Sequence, residues 1–461
     1  IRRQVVGTGI GKRRLLMDPG GRRQGRKQRL GGDVVAETWS KQVQTGSLNF
    51  DDQGVDLKRR RGRALEQFEQ HGFPGRKHEE WRYTPLSRLA AGPCAPLLER
   101  SQEIAFCPDL PVDMLAKVVI VNGEFRADLS DLSRLPSAIR VQSLAQLRHS
   151  DPDQLASLLD LYWTQDSHPF YDLSDALLDD GVHIEVVEEG AKIDAPIHIL
   201  HVLDGQAHVT GLIQLAAGAQ LQLIEEIRSA GEVLGNLRWG IGLDPRSILK
   251  RVRAFRPECS SIFHGTRVIQ QQDSRFEDLF CSSGAELIRN ELHVSHEGTG
   301  CHCDLMGAYA GCGKDHLDHH TTIDHKVEDC TSNEIYRGVL SGQARGVFSG
   351  MIHVHQDAQR TDAKQSNDTI LLSEGAEADT RPRLEIYADD VKCTHGATIG
   401  ELDEDAIFYL RSRGVSPDEA RKILVRAFTS EVFHGLEDRQ LSDFIADEIQ
   451  QSINPDGTNH E

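Results

Sequence analysis

Aromatic residues are scarce in this sequence: they make up 6% of its 461 residues, with four tryptophans and seven tyrosines. A core with few large rings must be filled by aliphatic side chains and by closely spaced chain turns. The 41 glycines can supply those turns, which favours a β-rich middle. No run of 18 apolar residues occurs, which excludes a membrane-spanning helix. Neither Gly-x-x-x-x-Gly-Lys-Ser/Thr nor Gly-x-Ser-x-Gly is present, and Gly9-Ile10-Gly11-Lys12 lacks a strand–loop–helix context. Any ATP hydrolysis connected with this chain therefore belongs to a partner.

Positive charge is also short. Lys and Arg number 52 against 71 Asp and Glu, a net charge of −19. The bases are concentrated: residues 1–30 hold ten of them with Asp18 as the single acid, leaving the remainder near −28. An acidic body cannot neutralise a phosphate backbone, so nucleic acid is not expected as a partner. Nine cysteines, an odd number without framework spacing, read as reduced thiols in a cytoplasmic setting. Histidine is the residue in excess. There are 21, many between 293 and 355, and that clustering suggests metal chemistry.

Four regions follow from the patterning. Residues 1–33 have no apolar periodicity and read as a disordered basic leader, or as an organellar transit peptide. Residues 34–175 read as an N-terminal helical region, with a charged helix over 57–70 stopped at His71-Gly72 and further helix over 140–162. From about 176 to 402 the period is two, beginning with Val182, Ile184 and Val186. Short strands recur between corner-like fragments at Gly190-Ala191, Gly218-Ala219, Gly284-Ala285 and Gly396-Ala397, a pattern that fits a β-solenoid or a sandwich. Residues 403–461 return to helix. Ser416-Pro417-Asp418-Glu419 matches a capping box before the apolar stripe Ala420, Ile423, Leu424, Ala427 and Phe428. Leu441, Phe444, Ile445 and Ile449 form another stripe, and helices this few must pack on the β body or on a partner.

Three groups of residues could carry chemistry. In Leu384–Gly400 a strand leads into Cys393-Thr394-His395, where thiol and imidazole share one face about 7 Å apart. They suit iron or zinc, but two ligands are half of a usual set of four. In His316-Leu317-Asp318-His319-His320-Thr321-Thr322-Ile323-Asp324-His325, alternation puts Asp318, His320, Thr322 and Asp324 on one face and His319 and His325 on the other. That division weakens a single site, although a metal-dependent hydrolase built on this run is the alternative function. Cys301-His302-Cys303 has no second cysteine pair at zinc-finger spacing, and Cys312 and Cys330 stand alone.

The order of short motifs resembles the SufB/SufD family. The motifs are Trp81-Arg82-Tyr83-Thr84-Pro85, Pro196-Ile197-His198-Ile199, Arg289-Asn290-Glu291-Leu292, His316-x-Asp318-x-x-Thr321-x-x-x-His325, Tyr336-Arg337-Gly338-Val339-Leu340, Gly346-Val347-Phe348-Ser349-Gly350 and Gln365-Ser366-Asn367. The closing run Leu384–Gly400, followed by Phe408-Tyr409-Leu410-Arg411-Ser412-Arg413-Gly414, is similar to the SufD side of that family. The resemblance covers roughly 57–435. It implies a mainly β chain: a right-handed parallel β-helix core with an N-terminal helical region and a C-terminal helical domain. It implies a non-enzymatic scaffold subunit for iron–sulfur cluster assembly, paired with a SufB-like subunit, or with itself where that partner is missing. It implies a SufC-like ATPase docked on the C-terminal helices, with ATP bound on that partner only, and Leu410, Arg413, Leu424 and Phe428 are the residues expected to meet it. Iron or a nascent cluster would be held transiently by Cys393 and His395 and shared with the paired subunit.

Overall fold

The structure, a computed structural model, describes residues 55–75, 77–84, 86, 110, 112–163, 168–255, 260–433, 436 and 438–453. The basic leader read over 1–33 lies outside the described residues, as does Pro85.

Short apolar-alternating segments form seventeen strands among the described residues. They are β1 (Ala116–Val121), β2 (Glu124–Phe125), β3 (Ile139–Ser143), β4 (Gly181–Val186), β5 (Ile197–Leu215), β6 (Gln220–Leu243), β7 (Ile248–Phe255), β8 (Ser260–Gln270) and β9 (Arg275–Ser283). There follow β10 (Leu287–His296), β11 (His302–Gly311), β12 (His316–His325), β13 (Thr331–Leu340), β14 (Arg345–Val354), β15 (Asp362–Leu371), β16 (Glu377–Ile386) and β17 (Lys392–Gly400). Apart from the antiparallel pairs β1–β2 and β3–β4, all ladders are parallel. One ladder runs β5–β6–β8–β10–β12–β14–β16, the other β5–β6–β7–β9–β11–β13–β15–β17. The long strands β5 and β6 belong to both. The result is a parallel β-helix of about seven turns, which decides between the solenoid and the sandwich.

Inward residues of the two ladders fill the lumen with Ile, Leu, Val and a few rings, among them Trp239, Phe276, Phe280, Tyr309, Tyr336 and Phe348. The corners stack as the core does. Gly190 and Gly218 take φ of 70° and 71°, and Arg246, Asp273, Asp329 and Arg360 adopt the same left-handed conformation further along. Each such residue donates its N–H to a carbonyl of the next turn, as Gly218 does to Pro245 and Arg360 to Asp390. A non-glycine there costs about 1 kcal/mol, which this column of hydrogen bonds offsets. Of the four Gly-Ala fragments read as corners, Gly190, Gly218 and Gly284 have the positive φ of a corner. Gly396 does not: it lies inside β17, carried by the pairing of that strand to β15.

Helices cover the outside. The segment 34–175 holds strands as well as helices: α1 (Val55–His71), α2 (Leu144–Ser150), α3 (Pro152–Trp163) and, overlapping its end, α4 (Pro169–Ala176). With the short turn Glu79–Trp81 they pack Trp81, Leu159, Phe170 and Tyr171 onto Leu212 and Phe263 of the first ladder. The C-terminal helices are α5 (Glu404–Ser412), α6 (Pro417–Thr429) and α7 (Arg439–Ile453). The Ser416 hydroxyl accepts from the Glu419 N–H at 3.2 Å, the cap that the sequence pattern predicts. Val425, Leu441, Ile445 and Ile449 then bury against Leu279, Cys281, Ala308 and Val339 of the second ladder. No helix of the described residues is long and apolar enough to cross a membrane.

The β-helix ends abruptly. Among the described residues β16 pairs only with β14 and β17 only with β15, so both carry an edge with no further strand on it. No residue of either strand is fully buried. A parallel strand normally has both faces covered, so this last turn is an unfinished surface.

Candidate functional site

Cys393 and His395 lie on that last turn. Both are at alternate positions of β17, in register with Ala363 and Gln365 of β15, which are buried lumen residues. Their column is therefore the continuation of the lumen at its open end. Cys393 is half-buried and packs with Ile352, Ala363, Leu384 and Val391, and burial pushes its thiol pKa up. His395 is exposed. Among the described residues no third His, Cys, Asp or Glu joins these two in a cluster of metal-ligand spacing. The chain as described thus presents a thiol and an imidazole together, without a closed coordination set.

Directly beneath His395 the lumen is polar. Gln365 Nε2 donates to Glu334 Oε2 at 2.6 Å. Glu334 is fully buried, and burial pushes its carboxyl up to about 7. The Thr321 hydroxyl and Gln365 are the side chains that hydrogen-bond this carboxyl, and both favour its charged form against the burial. Sequence reasoning missed Glu334. Its signal was a lone acid on the inward parity of β13, visible only once the register is known.

The run His316–His325 divides as its alternation predicts. His319 and His325 enter the lumen, where His325 Nε2 meets Ser332 Oγ at 2.9 Å and His319 has neither ring nitrogen bonded. Burial pulls His319 down to about 3 and His325 to about 4, so both are neutral. Asp318 faces outward yet is fully buried, because the Trp81–Thr84 segment covers it. Arg289 Nη1 donates to Asp318 Oδ2 at 2.6 Å and to the Glu80 carbonyl at 2.9 Å, with its guanidinium 4.1 Å from the Trp81 ring centre. Thr84 also donates to Asp318, and His320 Nε2 lies 3.0 Å from Asp318 Oδ1. Desolvation opposes this carboxylate, but Arg289 and His320 hold it well below the usual range. The histidines of the run do not gather into one site. Asp318 and Arg289 are a clamp that fastens the N-terminal segment to the β-helix.

Of the other described cysteines, Cys281, Cys301, Cys303 and Cys330 are buried and Cys312 is half-buried. Cys303 sits in the lumen, where burial raises its pKa strongly. Cys301 fills a corner, its Sγ 3.0 Å from the Gly298 carbonyl, with Cys330 hydrogen-bonded beside it. None of the six described cysteines is in a disulfide.

On the C-terminal helices, Phe428 is half-buried against the second ladder and lies under Arg337, whose guanidinium is 5.8 Å from the ring centre. Leu410 and Leu424 are half-buried and Arg413 is exposed, resting 4.8 Å from the Tyr409 ring centre. The apolar side chains that face solvent are different ones: Phe408 at 71% exposure, Tyr409 at 57% and Ile423 at 41%.

Comparison with known proteins agrees with this architecture. The SufBD core domain of the SUF iron–sulfur cluster assembly system matches residues 201–428, and the SufBD N-terminal region matches 47–199. The iron–sulfur cluster assembly protein SufD of Escherichia coli is 29% identical over 88% of this chain and 95% of its own length. A SufBD family protein of Synechocystis is 30% identical over 78% of this chain and 83% of its own. The chloroplastic protein ABCI7 of Arabidopsis thaliana is 26% identical over 84% of each.

Proposed function

The chain belongs to the SufBD family of iron–sulfur cluster assembly proteins, and we propose that it is the SufD-type scaffold subunit, with no active site of its own. It pairs with a SufB-like subunit through the open last turn, β16 and β17. A SufC-like ATPase docks on α5 and α6, and ATP is bound and hydrolysed on that partner. Iron or the nascent cluster is cargo, held between Cys393, His395 and groups of the paired subunit. Six described cysteines without a disulfide support a reducing compartment, the cytoplasm, or an organelle if residues 1–33 are a transit peptide.

One observation carries this reading: a thiol and an imidazole stand at alternate positions of a last turn whose strand edges are left open among the described residues. Exposed edges and apolar residues invite another chain, and Tyr387 at 62% exposure and Ile386 at 40% supply the apolar part. Without the SufB-like subunit the same edge serves a second copy of this chain. A hydrolase built on residues 316–325 has no such support, since those histidines are divided between lumen and clamp. The test is co-expression with the co-encoded SufB-like subunit. Tyr387→Asp should abolish co-purification while leaving the fold intact, and retention of wild-type pairing would remove the assignment of the last turn as the interface.

A further inference from the structure

The half-site leaves other histidines unused, and some of them converge. Asp324, His353 and His355 bring one ligand atom each to within 4.8 Å of one another, and none is fully exposed. Asp324 and His353 are in register on β12 and β14, on the outer face of the first ladder, and His355 follows just past the end of β14. His353 Nδ1 is 3.2 Å from Asp324 Oδ1. His293 Nε2 approaches the other oxygen of the same carboxylate, Oδ2, at 2.7 Å. The rings of His353 and His355 lie with centres 4.0 Å apart. His355 Nε2 is shielded from solvent and meets no hydrogen-bond partner among the described residues.

We propose that Asp324, His353 and His355 form a binding site for a first-row divalent transition metal, Zn2+ or Fe2+, with His293 orienting the carboxylate from behind. Two imidazoles and one carboxylate are the protein ligands of an open tetrahedral zinc site and of a ferrous facial triad. Magnesium and calcium prefer sites made of oxygen alone. Donor atoms around a tetrahedral zinc are about 3.4 Å apart, so a 4.8 Å spread closes by small side-chain rotations. The ion would give His355 Nε2 the partner it lacks. A ligating carboxylate is ordinarily held by a further hydrogen bond, which is the place His293 occupies. The site differs from the half-site in every element. It sits on the outer face of the other ladder and needs no second subunit; His293, behind the carboxylate, lines a neighbouring cleft of about 590 Å3.

The test uses the full chain, stripped of metal and titrated anaerobically with Co2+, whose absorption reports its coordination. The expected result is one equivalent bound with an imidazole-type spectrum, displaced by Zn2+ or by Fe2+ and not by equal Mg2+. His353→Ala should weaken binding at least 100-fold, and His293→Gln about 10-fold, as expected for an orienting partner. If His353→Ala disturbs the fold, His355→Ala, beyond the strand end, should give the same loss. The half-site is read on the complex with a paired subunit and this site on the chain alone, so failure of one and failure of the other are separate results. Absence of stoichiometric binding, displacement by Mg2+, or wild-type affinity in both His353→Ala and His355→Ala would overturn the proposal.

Discussion

The Nε2 of Gln365 donates to the Oε2 of Glu334 across 2.6 Å, inside the β-helix and one turn below His395. The pair joins the candidate half-site to the polar part of the lumen. Burial raises this carboxyl to about 7, so it holds a proton in mild acid and titrates near neutrality under the site.

That proton makes stability depend on pH. The folded carboxyl titrates near 7, above its ordinary value of 4.5, so between those values the folded chain binds the proton and the unfolded chain does not. Its contribution is fully present below about 4.5 and is lost as pH rises through 7, a change on the order of 3 kcal/mol. Glu334→Gln keeps the shape and removes the titration. Urea unfolding at pH 5 and pH 8 should show a smaller difference for Glu334→Gln than for the wild type. Equal differences would mean that Glu334 is already ionised at pH 5.

Asp318 and Arg289 are both buried, and each satisfies the other. Removing the Asp318 charge leaves the buried Arg289 with Glu291 as its remaining ion-pair partner and takes the acceptor from Thr84 and His320, at a cost of about 3 kcal/mol. Asp318→Asn should therefore lower the urea midpoint strongly and expose the Trp81 segment to protease. A hydrolase centred on this run would instead lose activity at unchanged stability.

Docking of the ATPase should depend on the exposed rings. Phe408→Asp combined with Tyr409→Asp should abolish binding of a SufC-like ATPase with a thermal midpoint close to wild type. Phe428→Asp should also reduce binding, but by loosening α6 from Arg337 and the second ladder, with a stability loss of about 2–4 kcal/mol. Pull-down and thermal unfolding of both variants separate the two effects.

Much of this was legible in the sequence because it is local. Alternation alone places Cys393 with His395 and parts Asp318 from His319, and the Ser416 cap needs only its own turn. What was not legible depends on register between turns. Neighbours such as Glu334 and Gln365, or Asp324 and His353, are roughly 30 residues apart, and the corners between them vary in length. No period in the sequence fixes which residues stack, so the Asp318 clamp, the proton on Glu334 and the convergence on Asp324 required the fold. Gly396 was misread for a related reason: a Gly-Ala pair marks a corner only where the ladder ends, and at 396 it does not.

The central claim is that Cys393 and His395 are half of a metal-binding pocket completed by another subunit. It is tested most directly by anaerobic reconstitution, with iron and sulfide counted on the chain alone, on its complex with the SufB-like subunit, and on that complex carrying His395→Ala. The account predicts sulfide-containing iron on the wild-type complex, none on the isolated chain, and at least a several-fold loss in the variant complex at unchanged subunit pairing. Equal iron and sulfide on the wild-type and variant complexes would contradict it.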